Sequence, residues 1–197
     1  MPGACSGEDA LATAAEVLNR GGILVHPTST LYGLGGRPNP DIDARIAGIK
    51  GRPGGSLIRL AATAHEARMA VPQRQWPPAA ARLAGAFWPG PLTLIVCQVA
   101  IRVDPHPVPA ALLGLVGGSM TSTSFNRTGD APAATAEDVR SLMAAVQPAR
   151  GPAGWLDGPP SPAGGPPSTL VRVDESGAVK ILREGAVPAE AVREFAP

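Results

Sequence analysis

Cysteine is nearly absent from this chain of 197 residues, and its two copies, Cys5 and Cys97, stand far apart. Two separated thiols supply neither a disulfide framework nor the ligand set of a structural zinc site. No apolar run reaches the roughly 18 residues that a transmembrane helix needs. The first residues, Met1–Glu16, lack a basic stretch followed by an apolar one, so we expect no secretory signal. These absences together predict a cytoplasmic protein with reduced thiols.

The chain also has little net charge, +1 at neutral pH, and only two of its 17 basic residues are lysines. Without a global basic field, any nucleic-acid site has to be local. Gly and Pro are abundant (24 and 23 residues), but low net charge and regular apolar segments argue against disorder. A hydrophobic content of 44% and this length predict a single globular domain over residues 1–197.

Helix and strand patterns alternate along the chain. Helix-start signals are present at Asn39-Pro40, and Thr63 with Glu66 predicts a capping box. Residues 28–36 predict a loop, and residues 148–167 are dense in Gly and Pro. Strands are predicted at 22–26, 57–61, 92–99 (with 100–103 as an alternative extension after a bend), 119–124, 169–173 and 178–182. Helices are predicted at 6–20, 39–50, 63–71, 78–87, 109–116, 135–146 and 188–195. The alternation predicts an α/β fold on a twisted, mixed sheet with flanking helices.

The loop after the first long strand carries three hydroxyl residues, Thr28, Ser29 and Thr30, followed by several glycines. An α/β sheet presents its ligand crevice at the ends of strands, and glycines let backbone come close to a ligand. No Gly-Lys-Ser/Thr follows, so this is not a Walker loop. An ordinary turn is the alternative interpretation.

Cations and further hydroxyl residues lie at the ends of other predicted helices and strands. Lys50-Gly51-Arg52-Pro53 ends a helix and has the groups for a phosphate clamp, although cations there also complement the helix dipole. Arg102 follows an apolar strand and is suited to a carboxylate. Hydroxyls and an amide, from residues 121–126, end another strand. Hydroxyls, amides and cations with few candidate bases suit nucleotide binding and charge stabilisation during phosphoryl transfer.

Taken in order, these segments resemble the YrdC-like domain family, which includes the threonylcarbamoyl-AMP synthases and their YciO-type relatives. The resemblance runs from about Gly21 to Gly185. It is carried by Thr28-x-Thr30-x-Tyr32-Gly33-Leu34-Gly35, Lys50-x-Arg52, Pro89-Gly90-Pro91-x-Thr93, Arg102-Val103, Ser124-x-Asn126-x-x-Gly129, Ser168-Thr169 and Arg183-Glu184-Gly185. It implies an open, twisted sheet with a positively lined concave face.

The resemblance also implies a reaction. L-threonine, bicarbonate and ATP, with Mg²⁺, give threonylcarbamoyl-AMP and pyrophosphate, on the way to a modified adenosine in tRNA. In that chemistry threonine carbamate attacks the α-phosphate of ATP. The implied partners are tRNA or double-stranded RNA and a downstream tRNA-modifying transferase complex, with no membrane.

Site residues follow from the resemblance position by position. The implied catalytic residues are Lys50 and Arg52, and no protein metal ligand is implied. Substrate binding is implied for Thr28, Thr30, Tyr32, Arg59, Arg102 and Thr123, and nucleotide binding for Lys50, Arg52, Ser124, Asn126, Ser168 and Arg183.

Three departures from the family pattern leave alternatives open. Ser29 stands where an acidic residue is usual, Arg59 follows a shortened loop near the place of a His, and Phe125 replaces a small residue. The alternatives are a nucleotide- or RNA-binding paralogue without synthase activity, and carbamoyl-adenylate chemistry on another acceptor. Since adjacent strand residues face opposite sides, we expect Phe125 to be buried, leaving Ser124 and Asn126 toward the ligand.

Overall fold

The structure, a computed structural model, describes residues 4–5, 8–51, 57–71, 76–146 and 151–196. Its helices are α1 (Glu8–Asn19), α2 (Pro40–Lys50), α3 (Ala64–Met69), α4 (Pro78–Phe87), α5 (Pro107–Val116), α6 (Ala136–Ala145) and α7 (Ala189–Phe195). Its strands are β1 (Ala4–Cys5), β2 (Ile23–Pro27), β3 (Tyr32–Gly36), β4 (Ile58–Ala61), β5 (Leu92–Val96), β6 (Val99–Val103), β7 (Ser119–Ser124), β8 (Gly154–Leu156), β9 (Thr169–Val173) and β10 (Val179–Arg183). Within these ranges no helix is long and apolar enough to cross a membrane.

All the described strands join one ten-stranded sheet in the order β1-β8-β2-β3-β7-β4-β6-β5-β9-β10. The pairs β1–β8, β2–β8, β4–β6 and β5–β9 are parallel, and the other neighbours are antiparallel. β1 and β10 form its two edges, so the sheet does not close on itself. This confirms the predicted α/β fold with an open, mixed sheet and flanking helices.

Local capping signals place several helices where the sequence predicts them. The Asn39 side chain accepts a hydrogen bond from the backbone of Asp41 and begins α2. Thr63 with Glu66, at the start of α3, forms the predicted reciprocal capping box. Such short-range signals decide helix starts because both partners lie within one turn.

Four segments differ from prediction. Ala4–Cys5 form β1, although no strand is predicted there. Residues 32–36 form β3 instead of a loop, residues 92–103 form two antiparallel strands that turn at Cys97 and Gln98, and β8 lies within the Gly- and Pro-dense segment. The error at residues 32–36 has a packing cause: a Cβ on Gly33 would lie 2.8 Å from the His26 ring. Glycine there permits close strand packing, although the sequence alone suggests a turn.

Helices cover both faces of the sheet. Leu24 of β2 packs with α1 and α5 on one face, whereas its neighbours Ile23 and Val25 join a cluster with α2 and α6 on the other. A third cluster places α4 and α7 against β5 and β9. Phe125, 2% exposed, belongs to the α2–α6 side, which confirms the expected burial of its ring.

Candidate active site

A small cavity of about 120 Å³ lies where the loop between β2 and β3 meets the ends of β7, β9 and β10. Most of the side chains that the sequence singles out for substrate or nucleotide binding line it. They are Thr28, Thr30, Tyr32, Arg102, Thr123, Ser124, Ser168 and Arg183. Segments separated by up to 155 positions thus converge on one place.

The 28–30 loop owes its shape to the Thr28 hydroxyl. This group donates to the carbonyl of Leu31 at 2.6 Å and accepts from the backbone N–H groups of Thr30 and Leu31. A hydroxyl that caps its own turn in this way fixes the backbone locally. Thr28 therefore shapes the loop, and both Thr28 and Thr30 line the cavity.

The segment at 151–167 fastens the same loop from its other side. The N–H of Ala163 donates to the carbonyl of Ser29 at 3.2 Å, and the N–H of Gly164 donates to that of Thr30 at 2.9 Å. Two consecutive carbonyls are thereby satisfied by a part of the chain rich in glycine and proline. The loop is held between this segment and its own turn.

Arg102 is 3% exposed and is anchored on three sides. Its guanidinium pairs with Asp104, donates from Nε to the carbonyl of Gly90 at 3.0 Å, and donates from Nη2 to Ser29 Oγ at 2.7 Å. Asp104 also accepts from the backbone N–H groups of Ser29 and His106, each at 2.9 Å. Burial lowers the pKa of Arg102, and the Asp104 carboxylate opposes that shift.

This network accounts for the serine at position 29, where the family usually has an acidic residue. The serine hydroxyl lies 3.2 Å from Asp104 Oδ2. A carboxylate therefore remains beside Arg102, supplied by another part of the chain. Asp104 is not among the predicted site residues, because nothing in the sequence around it indicates a contact with Ser29.

Tyr32 lines the cavity, but its hydroxyl already has a hydrogen-bond partner. The phenol donates to Asp157 Oδ1 at 2.9 Å. Burial raises the pKa of Tyr32, and the bond to Asp157 raises it further. The tyrosine therefore stays protonated and is positioned by the protein.

Lys50, at the end of α2, organises the turn after β7. Its ammonium donates to the carbonyl of Ser124 at 2.6 Å, to Asn126 Oδ1 at 2.7 Å and to the carbonyl of Asn126 at 3.2 Å. Ser124 Oγ donates to the same amide oxygen at 2.7 Å. Lysine and amide thus form one unit, which goes beyond a cation complementing its helix dipole.

A second, larger cavity of about 560 Å³ lies beside Lys50 and is lined also by Arg59, Arg172 and Asp43. Among the described residues, Arg59 Nη1 is a buried side-chain nitrogen that has no hydrogen-bond partner. Thr123 lines both cavities. The predicted substrate ligand Arg59 therefore lies next to the small cavity and not in it.

Strand register explains this placement. Arg59 of β4 is paired with Ile101 of β6, whereas Leu60 is paired with Arg102. Partners in register share a face, so Arg59 and Arg102 point to opposite faces of the sheet. Ile58 takes the place beside Arg102 in the small cavity.

The last strands close the small cavity. Arg183 Nη2 donates to the carbonyl of Ser168 at 2.8 Å, and the Ser168 hydroxyl lies 2.8 Å from that of Thr93. Thr93 belongs to the Pro89-Gly90-Pro91-x-Thr93 segment. That segment therefore supports two predicted ligands, Ser168 through Thr93 and Arg102 through Gly90.

Ser122, which is not among the predicted site residues, lines the small cavity. Its Oγ lies 3.1 Å from Nε2 of His26, a buried residue that does not itself line the cavity. The period of two along β7 supplies a signal, since Ser122 shares a side with Ser124. The predicted Arg52 and the shortened loop at 54–56 lie outside the described residues. In the described ranges, no three His, Cys, Asp or Glu side chains form a metal-binding group.

The open mixed sheet, the helices on both faces and the two cavities lined by arginines define an α/β class of protein. Residues 16–185 match the Sua5/YciO/YrdC family, whose description reads "Telomere recombination". This match spans most of the chain, and the protein belongs to that family. The family predicted from the ordered motifs is thereby confirmed.

Curated relatives are named for one activity. The chain is 36% identical over 178 residues to a threonylcarbamoyl-AMP synthase of Alkalilimnicola ehrlichii, covering 82% of this chain and 90% of that protein. It is 37% identical over 145 residues to a threonylcarbamoyl-AMP synthase of Halorhodospira halophila, covering 64% of this chain and 74% of that one.

Solved structures share the fold. Sua5 of P. abyssi, complexed with L-threonine, superposes with a TM-score of 0.82 and 26% identity over 97% of this chain, which spans 58% of that protein. E. coli YciO gives a TM-score of 0.76 at 20% identity, covering 96% of this chain and 95% of YciO.

Proposed function

We propose that this protein synthesises L-threonylcarbamoyl-AMP from L-threonine, bicarbonate and ATP, with release of pyrophosphate. The observation that carries the proposal is the convergence of Thr30, Arg102, Ser124, Ser168 and Arg183 on one small cavity. Relatives named for this activity, and a related Sua5 structure that holds L-threonine, support it.

The small cavity suits the amino acid. Among the described residues it is lined by the cations Arg102 and Arg183 and by hydroxyls, and by no carboxylate. A guanidinium can donate N–H hydrogen bonds to a carboxylate, and the anchored position of Arg102 reduces the entropy lost on binding. Arg102 and Thr30 hold the carboxylate and side chain of threonine in this proposal.

The nucleotide lies along Lys50, Arg52, Ser124 and Asn126, with its phosphates toward the cations. A carbamate oxygen of threonine carbamate attacks the α-phosphorus. The bond from that phosphorus to the bridging oxygen breaks, and pyrophosphate leaves. The cations stabilise charge that develops on the phosphate oxygens.

Mg²⁺ enters as part of the nucleotide substrate. The only carboxylate that lines the larger cavity among the described residues is Asp43, whose Oδ1 accepts from the Thr121 hydroxyl at 3.2 Å. One carboxylate is too few for a resident protein site, whereas Mg²⁺ is commonly bound through substrate phosphates.

The product is consumed in tRNA modification. Threonylcarbamoyl-AMP is a mixed anhydride, so it is expected to pass to a transferase complex that acylates an adenosine in tRNA. This sequence of reactions places the protein in the cytoplasm, where ATP and tRNA are available.

A pyrophosphate-release assay tests the function directly. The protein is supplied with ATP, Mg²⁺ and bicarbonate across a panel of amino acids, and threonine is expected to give the fastest release. Preference for another amino acid would assign the same chemistry to a different acceptor. Nucleotide binding without any amino-acid-dependent release would instead favour the paralogue that lacks the synthesis.

The two lysines of the chain make a matched pair for the nucleotide site. Lys50→Ala is expected to weaken ATP binding by about tenfold to hundredfold, since a charge-assisted contact contributes about 1.5–3 kcal/mol. The matched control is Lys180→Ala, at an exposed position of β10. Calorimetric titration that gave equal ATP affinity for both variants would contradict the assignment of Lys50.

A further inference from the structure

His26 is completely buried on β2, and the proposed reaction assigns it no role. Its ring lies beneath β3, where glycines at 33 and 35 leave it room: a Cβ on Gly35 would stand 3.2 Å from Nε2. Each ring nitrogen has one polar neighbour. Nδ1 lies 3.1 Å from the carbonyl of Pro27, and Nε2 lies 3.1 Å from Ser122 Oγ.

These neighbours determine where the ring carries its proton. A backbone carbonyl only accepts hydrogen bonds, so Nδ1 of His26 must be the protonated nitrogen. Burial lowers the pKa of His26 to about 4, which leaves the ring neutral with a single proton at neutral pH. Nε2 is then an acceptor, and the Ser122 hydroxyl donates to it.

The consequence for the cavity concerns the oxygen of Ser122. Its proton is committed to His26, so toward a bound molecule this oxygen offers lone pairs only. The same small cavity contains Arg102, which offers only donors. An acceptor and a cationic donor in one cavity match the two ends of an amino acid, whose nitrogen donates and whose carboxylate accepts.

We propose that His26 is a positioning residue that holds Ser122 as a hydrogen-bond acceptor for the nitrogen of the acceptor amino acid. The inference rests on the proposed function for the identity of the ligand. It deepens that function by assigning the nitrogen end of the substrate to Ser122. His26 itself does not touch the substrate.

Kinetics of three variants test the proposal. His26→Leu and Ser122→Ala are each expected to raise the KM for threonine about tenfold, because one hydrogen bond to the substrate is weakened or lost. The KM for ATP should stay within about twofold. The double variant should be no worse than Ser122→Ala alone, since both changes act on the same contact.

A rescue variant distinguishes a positioning role of His26 from a role in packing. His26→Gln keeps an acceptor near Nε2 and should recover much of the threonine KM. Exposed His65 provides the control, and His65→Gln should match the wild type. Equal rises in both KM values, additive effects in the double variant, or an unchanged threonine KM in Ser122→Ala would overturn the inference. Ser122→Ala also carries the test alone if His26→Leu does not fold.

A spectroscopic measurement needs no activity. Nitrogen NMR of the ligand-free protein should show His26 protonated at Nδ1 and unprotonated at Nε2 at neutral pH. The opposite tautomer would overturn the inference even in an active enzyme. Wild-type protein without threonine-dependent pyrophosphate release, but with the expected tautomer, would instead contradict the proposed function.

Discussion

Two arginines on neighbouring strands, Arg102 of β6 and Arg59 of β4, line two adjoining cavities in different states. Arg102 donates to Gly90 and Ser29 and pairs with Asp104, whereas Arg59 keeps a buried Nη1 without a partner among the described residues. Contacts within the protein therefore already hold the Arg102 guanidinium in place. An unpaired buried donor costs free energy, so Arg59 is the arginine whose hydrogen bonding a ligand would complete.

The difference separates two ways to build an anion site. An anchored guanidinium gives a rigid, selective contact, because few orientations remain to be lost on binding. An unpartnered guanidinium gains more free energy when a ligand binds to it, but its unsatisfied donor destabilises the ligand-free protein. Substitutions at both positions, and near them, distinguish these cases.

Removal of Arg102 should have the largest effect. Arg102→Met leaves Asp104 buried without its counter-ion, so the free energy of unfolding should fall by about 3–5 kcal/mol and threonine-dependent activity should be lost. Denaturant titration measures the first effect and pyrophosphate release the second. Adding Asp104→Asn to that variant should recover part of the stability and none of the activity; recovery of activity would show that Arg102 only neutralises Asp104.

Substitution of Phe125 tests whether its ring belongs to the core or to the small cavity. Its neighbour Ser124 lines the small cavity, but the ring itself is packed in the core cluster beneath α2 and α6. Phe125→Ala should lower the free energy of unfolding by about 3–5 kcal/mol, with ATP affinity almost unchanged. Phe195→Ala, at a 41% exposed position, is the control and should cost much less. A large change in ATP affinity would place the ring at the nucleotide.

Acid should destabilise the protein through His26. Its pKa is about 4 in the folded protein against 6.5 when unfolded, so below pH 6.5 the unfolded chain takes up a proton that the folded protein refuses. Stability is therefore lost as the pH falls from 6.5 to 4, by roughly 2–3 kcal/mol at pH 4.5. Denaturant titrations at pH 7 and 4.5 should show this loss in the wild type, and His26→Leu should be less sensitive to pH by that amount.

Substitution of Arg59 should have the smallest effect on folding. Arg59→Met removes the unpartnered donor, so the free energy of unfolding should stay equal or rise by up to about 1 kcal/mol. The KM for ATP should rise about tenfold, since Arg59 lines the same cavity as Lys50. Arg172→Met, at an exposed position of the same cavity, should change it less than threefold. A selective rise in the threonine KM would restore the threonine-binding role that the sequence predicts for Arg59.

Local sequence signals predicted the parts of this fold that depend on neighbouring residues. The capping box at Thr63, the helix start at 135 and the bounds of β7 are as expected, since each depends on contacts within one turn or on one run of alternating residues. The ordered polar motifs also brought most candidate ligands to one cavity. That success has a topological reason, because Thr30, Arg102, Ser124, Ser168 and Arg183 all lie at or beside the ends of strands of the same sheet.

Long-range pairing decided the rest. The glycine-rich β3 is a strand because His26 and the neighbouring strands hold it, and β8 forms because it adds to β2 in parallel. The register of β4 against β6 turns Arg59 away from the small cavity. A one-residue shift reverses every side chain of a strand, and no signal within the strand fixes that shift.

The hydrogen bonds from Ala163 and Gly164 to the 28–30 loop have a consequence for biosynthesis. They join residues more than 130 positions apart, and Arg183 completes the cavity later still. As the ribosome delivers the chain from its N-terminus, the loop at 28–30 emerges long before the groups that hold it. An incomplete polypeptide ending before β9 therefore lacks part of the cavity wall. Contacts this distant in sequence also favour slow folding, so full activity should appear only after chain release.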